Sequence, residues 1–514
     1  VDAARRRIAR DVETDDDAGH ADADARVTRA HRVADASTTT TRVDAESVVG
    51  IARRHEVKCG MSTLLRCGTV ERRPDERALR RRVRRERSVA RGSSRRGVRV
   101  VRAEGGSFEC GHFPACAGCA NVTDPTTPEV LERAVEYFAN VPSTSRTCGT
   151  THTTFRGAST GWRCKAKLAV RTSPTAALAL GLFRRGTHEL EPIETCAVSH
   201  PAINDAARIV RDVCVDVGVE PYDEGDGSGE LRYVQIVAYS ETRGAWNVST
   251  DVDASTCVAL VWNAPVANGL TDRMRAVCEE IASRSHGRIR GMWVNLQNAK
   301  TNSIFDPVGW THVLGERMTF LETPQNEQRV YYLPGSFMQA NTEAYGELLK
   351  RLPSHVPKGS RVVEMFAGVG SIGYSLVTNE NLDVRSVRFV ESSSAVAEAW
   401  ERTRDELPEE MRAKVSLRVA KAERVAEEST TDCDVLVVDP PRKGLDAKLR
   451  ALLTSDSLSD DLQTLIYVSC DLNSFMRDAD ELMDSKKWRL AHHESFVFFP
   501  ATNHIETFAV FSRR

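Results

Sequence analysis

The chain has 514 residues, 41% of them hydrophobic and 28% charged, with 70 basic against 72 acidic side chains. That is enough apolar material for sizeable cores, and the length gives a prior of about three domains. No run approaches the roughly 18 unbroken apolar residues of a membrane-spanning helix, and the 13 cysteines do not follow the regular pattern of a secreted disulfide scaffold, so both classes are set aside.

Residues 1–60 mix Asp, Arg, Ala and Thr with little apolar periodicity and are expected to be disordered. Met61 opens a stretch, 61–105, with 15 Arg against 5 acids. An Arg-rich, Ser-containing, acid-poor leader reads as an organelle transit peptide, with translation starting at Met61 and removal up to about residue 103. A basic disordered arm that touches RNA is the alternative. The whole of 1–105 is therefore read as a disordered leader. The body beyond it carries a net charge of about −11, which leaves any contact with nucleic acid to a local basic face.

Cys110, Cys116 and Cys119 cluster within residues 106–125. Three thiols at that spacing need a fourth ligand to hold zinc or an iron–sulfur cluster, and Cys148, Cys164 and Cys196 are candidates. Unligated thiols are the plain alternative. Residues 126–330 then alternate short elements: helices near 128–139, 201–216 and 270–284, strands near 165–170, 232–238, 258–262 and 291–296, and a surface loop at 223–230. The stretch FRGASTGWRCKAKLAV (155–170) sets Arg156, Arg163, Lys165 and Lys167 among Phe155 and Trp162, a pattern suited to phosphate contact and base stacking. A surface strand with a core Trp is the competing reading.

Residues 337–514 read as an α/β unit. Strands are expected at 361–366, 386–391, 416–420, 433–438 and 464–469, helices at 371–377, 394–405, 446–454 and 473–484, and strand-like segments near 487–491 and 506–512. That alternation implies a mostly parallel sheet covered on both faces, whose carboxyl strand ends form the ligand crevice. Functional-looking groups fall at those ends. Phe366 to Ser371 joins a strand to a helix, and Gly368, Gly370 and Gly373 give a Gly-x-Gly-x-x-Gly spacing. Glu391 ends the next strand, placed to accept hydrogen bonds from ribose hydroxyls. Asp439 opens an Asp-Pro-Pro turn, and Cys470 sits beside a helix start whose dipole favours a thiolate. The glycine turn and Glu391 suit a dinucleotide and S-adenosylmethionine equally; a thiol nucleophile in the same crevice tips the reading to S-adenosylmethionine. Further on, Glu506 and His504 follow an apolar run. A carboxylate in such company holds its proton tightly and can take one in catalysis, an exposed strand Glu being the alternative.

The ordered motifs GSFMQAN (335–341), VVEMFAGVGSIG (362–373), RFVES (388–392), VLVVDPPRKGL (435–445), YVSCD (467–471) and FPATNHIET (499–507) resemble those of the RNA (uracil-5-)-methyltransferase family, which acts on tRNA and large-subunit rRNA. The resemblance spans about 106–514. It implies a Rossmann-like class I methyltransferase domain at 337–514, a central α+β RNA-facing domain at 126–330 and a small cysteine-cluster segment. It also implies that Gln339, Phe366, Ser371, Glu391 and Asp439 contact S-adenosylmethionine, that Cys470 is the nucleophile and Glu506 the general base, and that Arg442 orients the base or the acid. ECGHFPACAGC (109–119) resembles the iron–sulfur motif of the rRNA-modifying branches. IETCAVSHPAI (193–203) resembles the segment that supplies the distant ligand, which selects Cys196 and a 4Fe–4S cluster. The expected activity is methyl transfer to C5 of a uridine in organellar large-subunit rRNA through a covalent Cys–C6 adduct. The expected agent is a monomer of the chloroplast, or alternatively the mitochondrion, with RNA and no membrane as partner. The same reaction on tRNA, and a non-catalytic RNA-binding assembly factor, are the alternatives. Ala420-Lys421-Ala422-Glu423 lacks the Asp often found near the family's adenine position, which leaves that contact open.

Overall fold

The computed structural model describes residues 98–102, 106–141 and 152–514. Strand β1 (Val98–Arg102), helix α1 (Glu129–Asn140) and strand β2 (His152–Arg156) come first. The central block comprises β3 (Lys165–Ser173), β4 (Ala176–Phe183), β5 (Leu190–Pro192), α2 (Pro201–Asp216), β6 (Leu231–Tyr239), β7 (Ser255–Trp262), α3 (Asp272–Arg284), β8 (Ile289–Leu296) and β9 (Trp310–Gly315), with a hairpin of β10 (Thr319–Glu322) and β11 (Arg329–Tyr332). The C-terminal block opens with α4 (Thr342–Arg351), β12 (Arg361–Met365), α5 (Ser371–Val377), β13 (Ser386–Glu391), α6 (Ala397–Asp405), α7 (Glu409–Arg412) and β14 (Val415–Val419). It continues with α8 (Ala422–Thr431), β15 (Val435–Val438), α9 (Ala447–Thr454), β16 (Thr464–Ser469), α10 (Leu472–Asp484), β17 (Trp488–Val497) and β18 (Glu506–Arg513).

The C-terminal strands build one sheet in the order β1-β2-β17-β18-β16-β15-β12-β13-β14. From β14 to β16 every pairing is parallel, and β18 runs antiparallel between β16 and β17. Parallel strands covered on both faces read as unbroken apolar runs, and Val435–Val438 is buried at every position. Successive residues serve opposite cores. Val437 joins the cluster shared with α4, α5 and α6, while Val438 joins the one filled by α1, α8, α9 and α10. Strand β12 pairs with β13 on one side and β15 on the other, so the chain order reverses there. A crevice opens at that reversal, beyond the carboxyl ends of the strands.

The central block forms a second sheet, ordered β5-β4-β3-β6-β7-β8-β9, antiparallel except for the β7–β8 pair that α3 connects. Helix α3 starts at Thr271, whose side chain accepts from Met274 N, and buries Met274, Val277, Cys278 and Ile281 at helical spacing.

Most expected elements form within a few residues of the ranges read from the sequence. Helix α8 and strand β4 were not foreseen. The Ala-Ala-Leu-Ala-Leu-Gly-Leu-Phe run of β4 carries no β-branched residue, and its strand state comes from pairing on both sides with β3 and β5. Residues 98–102, expected within the disordered leader, instead run as strand β1 parallel to β2, because β2 offers them an open edge. The rest of the leader, the start at Met61 and Cys148 lie outside the described residues. No helix among the described residues is long and apolar enough to cross a membrane.

Candidate active site

The crevice is a cavity of about 670 Å³. The turn after β12 brings Phe366 and Ser371 to it, β13 brings Glu391, β15 leads to Asp439 and β16 to Cys470, and β18 begins with Glu506; Gln339 closes one side. The seven residues read from the sequence as cofactor contacts, nucleophile and base thus line one space.

The turn is held under constraint. Phe366 has φ of 60°, a left-handed conformation that costs a non-glycine residue on the order of 1 kcal/mol. Glu391 pins it: one carboxylate oxygen accepts from Gly368 N at 2.9 Å, and the other accepts from Ser393 N at 2.8 Å and Ser392 Oγ at 3.0 Å. Gly370, at φ 88°, is irreplaceable on two counts, because a Cβ there would also stand 2.5 Å from Phe389 Cε1. At Gly368 a Cβ would meet nothing within 4 Å, so this part of the turn is open to close approach by a ligand.

Sequence reasoning passed over Glu364 and Tyr345. Glu364 is buried at the end of β12 and accepts from Gly373 N at 2.7 Å; burial, then Asp439 and Glu391, push its pKa up to about 8. Tyr345 hydrogen-bonds Ser371 through the two hydroxyls. The signal for Glu364 was available, since an acid inside a buried apolar strand demands a partner.

Burial pushes the Asp439 carboxyl up to about 7. Cys470 is half-buried, and its thiol is pushed up to about 12, first by burial, then by Glu506 and Asp439, with Arg442 opposing. The expectation of a dipole-favoured thiolate is therefore corrected: α10 does begin beside Cys470, but burial, with two carboxyls added to it, raises the thiol pKa. Glu506 is 1% exposed, and neither of its carboxyl oxygens has a hydrogen-bond partner. Burial, then Asp439, hold its pKa well above the ordinary carboxylate range, while Arg442 pulls it down. A buried, unpartnered acid facing a cavity binds a proton tightly and has no protein partner to compete for it.

The loop after Asp439 is gripped by α10. Asp478, fully buried, accepts from Leu445 N at 2.8 Å and Tyr467 Oη at 2.7 Å. Arg442 O accepts from Ser474 Oγ at 2.6 Å and Lys443 O from Arg477 Nη2 at 2.9 Å.

The cysteine segment abuts this site. Ala120 N and Asn121 N donate to Ala501 O at 2.6 and 3.0 Å, and Ala501 N donates to Pro125 O at 2.7 Å, five residues before Glu506. Cys110, Cys119 and Cys196 join Phe499, Ala501 and Ala340 in one apolar cluster. Cys110, Cys116 and Cys196 together make Cys119 harder to ionise, and burial adds the largest part, bringing it up to about 11. Gly118 N donates to Cys116 Sγ at 3.3 Å. Cys164 is fully buried, with its sulfur against Trp162 O and Thr342 Oγ1, away from this group. Among the described residues no three Cys, His, Asp or Glu side chains stand as a ready-made metal-ligand group.

The expected RNA-contact stretch is corrected in part. Phe155 is 7% exposed and Trp162 0%, so neither ring can stack on a base; Phe155 packs on Phe496 and Trp162 on Phe499. Arg163 lies over Trp162 at 4.8 Å, beside the cysteines. Lys165 donates to Ser336 O at 2.7 Å, and Lys167 is exposed.

The model of the tRNA (uracil-5-)-methyltransferase family matches residues 403–514, which hold Asp439, Arg442, Cys470 and Glu506. An uncharacterized RNA methyltransferase of Protochlamydia amoebophila is 31% identical over 414 residues, covering 79% of this chain and 98% of its own. One from Listeria innocua is 27% identical over 364 residues, covering 69% and 71%. The tRNA (uracil-54, C5)-methyltransferase of Pyrococcus abyssi, solved in complex with S-adenosyl-L-homocysteine, superposes with a TM-score of 0.53 at 19% identity over 69% of this chain and 76% of that one, a likeness of fold.

Proposed function

The chain belongs to the RNA (uracil-5-)-methyltransferase family, and from that premise we propose that it transfers a methyl group from S-adenosylmethionine to C5 of a uridine in RNA, with Cys470 as nucleophile and Glu506 as base. The observation that carries this is the convergence of a thiol and an unpartnered, proton-avid carboxyl on the cavity that also holds the glycine turn.

S-Adenosylmethionine supplies an electrophilic methyl on its sulfonium. The open backbone at Gly368 and the lining by Gln339, Phe366, Ser371, Glu391 and Asp439 fit a nucleoside-bearing ligand. The work of the protein is to make C5 nucleophilic. The Cys470 thiol gives up its proton to water, its sulfur adds to C6, and the electron pair of the C5–C6 bond becomes available at C5, which takes the methyl as the S–CH3 bond breaks and S-adenosylhomocysteine leaves. Glu506, as its carboxylate, accepts the C5 proton, the C5–C6 double bond re-forms, and the thiolate leaves C6. A uridine must leave its stack to reach a cavity this deep. In a methyl-transfer assay on RNA from cells lacking the enzyme, Cys470→Ala is expected to be inactive and Glu506→Gln to accumulate a denaturant-resistant protein–RNA adduct. Full turnover by Cys470→Ala would sink the assignment.

We further propose that Cys110, Cys116, Cys119 and Cys196 hold a 4Fe–4S cluster. Cys110, Cys119 and Cys196 share one apolar cluster, and Gly118 N is aimed at the Cys116 sulfur; burial, then the neighbouring thiols, make Cys119 hard to ionise, which a cationic centre would relieve. Protein purified without oxygen should contain about four irons per chain. The likeness of this segment to the rRNA-modifying branches supports large-subunit rRNA as substrate, whereas the matching family model bears a tRNA name. Mapping 5-methyluridine in both RNAs from a knockout decides between them. The basic leader supports an organellar address, chloroplast before mitochondrion, tested by where a fluorescent fusion accumulates.

A further inference from the structure

We infer that Phe305, Trp310 and Lys167 form a ledge that seats the unpaired RNA nucleotides next to the everted uridine. The inference rests on the RNA substrate proposed above and adds where the strand lies.

An everted base requires its neighbours to be held unstacked or restacked on something else. The rings expected to do this, Phe155 and Trp162, are buried. Two other rings are partly open to solvent. Phe305 and Trp310 lie 4.8 Å apart between centroids at 42°, and Lys167 Nζ stands 4.7 Å from the Phe305 centroid. Val308, between the two rings in sequence, is 76% exposed. Such an apolar patch on an acidic protein calls for a partner.

Its position and charge identify that partner. The Trp310 indole lies against Gly335, where a Cβ would be 3.1 Å from its Nε1. The adjoining backbone is fixed from behind: Pro334 O accepts from Gln235 Nε2 at 2.6 Å, and Ser336 O accepts from Lys165 Nζ. The next residue, Phe337, is 71% exposed and lines the cavity that holds Cys470. Residues 335–337 thus link the Trp310 ring to the cavity that holds the nucleophile. Arg317, which lies over the Trp293 ring beside Trp310, is held by Glu398. Lys167 is exposed and takes part in no ion pair among the described residues. A free ammonium beside ring faces, continuous with a pocket for a base, fits phosphate and stacked bases of a single strand.

The test titrates a fluorescein-labelled decauridylate and a ten-base-pair RNA duplex against wild type, Phe305→Leu and Lys167→Ala. Stacking on an aromatic is worth enough that Phe305→Leu should weaken decauridylate binding about tenfold and leave duplex binding unchanged. Lys167→Ala should flatten the plot of log affinity against log salt by about 0.7. Because Lys167 is exposed, that variant keeps the test decisive if Phe305→Leu melts early. In the methylation assay both variants should raise KM for RNA, with kcat at saturating RNA and affinity for S-adenosylmethionine unchanged. Decauridylate binding that neither substitution alters would overturn the ledge, as it would if a protein partner occupied it. Failure of the wild type to methylate any RNA would instead sink the proposed function, while the decauridylate comparison would still decide the ledge.

Discussion

Cys470 and Glu506 line one cavity, where burial first and the Glu506 carboxyl next hold the Cys470 thiol in its protonated form, with Arg442 as the opposing charge. A raised thiol pKa means little thiolate at neutral pH, with reactivity growing as pH climbs toward about 12. Removing the carboxylate by Glu506→Gln should move the alkylation profile of Cys470 to lower pH, and Arg442→Ala should move it higher. Iodoacetamide labelling followed by mass spectrometry between pH 7 and 10 reads both shifts. Coincident profiles for wild type and Glu506→Gln would break the electrostatic link.

The glycine turn tolerates no side chain at Gly373, where a Cβ would overlap the Phe389 ring and stand 2.7 Å from Glu364 Oε2. Overpacking of this kind costs about 1–3 kcal/mol. Gly373→Ala should lower the melting temperature and weaken S-adenosylmethionine binding by calorimetry. Phe389→Leu in the same protein should restore part of both, because it vacates the ring. Failure of the second substitution to recover anything would place the strain elsewhere.

Asp478 never reaches the cavity, yet it accepts from Leu445 N, Tyr467 Oη and the Arg477 guanidinium at 2.6–2.8 Å while fully buried. Asp478→Ala strands those donors and should cost about 3 kcal/mol. The loop carrying Asp439 to Arg442 should loosen with it. Denaturant unfolding measures the stability change, and KM for S-adenosylmethionine should rise alongside. A stable variant with an unchanged KM would show that α10 does not organise this loop.

How much of this was legible beforehand follows from separation along the chain. Phe366, Glu391, Asp439 and Cys470 end or directly follow parallel strands, so the parallel pattern alone brought them together, whereas Gln339 and Glu506 reach the cavity from elsewhere. The ionisation of Cys470 was misread because the helix dipole is a neighbour in sequence, whereas the burial of the thiol and the approach of Glu506 and Asp439 arise only in space. Phe155 and Trp162 were ambiguous since aromatic residues among basic ones look alike whether they line a core or a surface. The ledge was invisible: Phe305 and Trp310 flank a polar loop well over a hundred residues after Lys167, and only the pairing of β3, β6, β7, β8 and β9 brings them side by side.

The hydrogen bonds joining Ala120 and Asn121 to Ala501 make the cysteine segment a brace for the approach to Glu506. Cys116→Ser and Cys196→Ser should speed hydrogen exchange at the amides of Ala120, Asn121 and Ala501. They should lower kcat more than affinity for S-adenosylmethionine, whose proposed contacts lie on other strands. Exchange unchanged at Ala501 would separate the cysteines from the catalytic loop.

Acid should unfold this protein through a cluster of three rings outside the cavity lining. Phe138, His152 and His493 pack against one another, with centroids 5.2 and 4.2 Å from Phe138 and 5.3 Å between the two histidines. His152 is 3% exposed, and neither ring nitrogen has a partner. Burial pushes His152 down to about 4; burial, then His152 and His492, push His493 down to about 3, although Glu494 pulls both the other way. The sign follows from proton uptake. Between pH 6.5 and about 4 the unfolded chain binds protons that the folded stack refuses, so stability is intact above 6.5 and falls as pH drops through that window. For His152 alone the loss approaches about 3 kcal/mol near pH 4. His152→Phe keeps the stack and removes the titration. Its melting temperature should therefore fall less steeply than that of the wild type between pH 7 and 4, and parallel curves would exclude His152 as the source of the acid sensitivity.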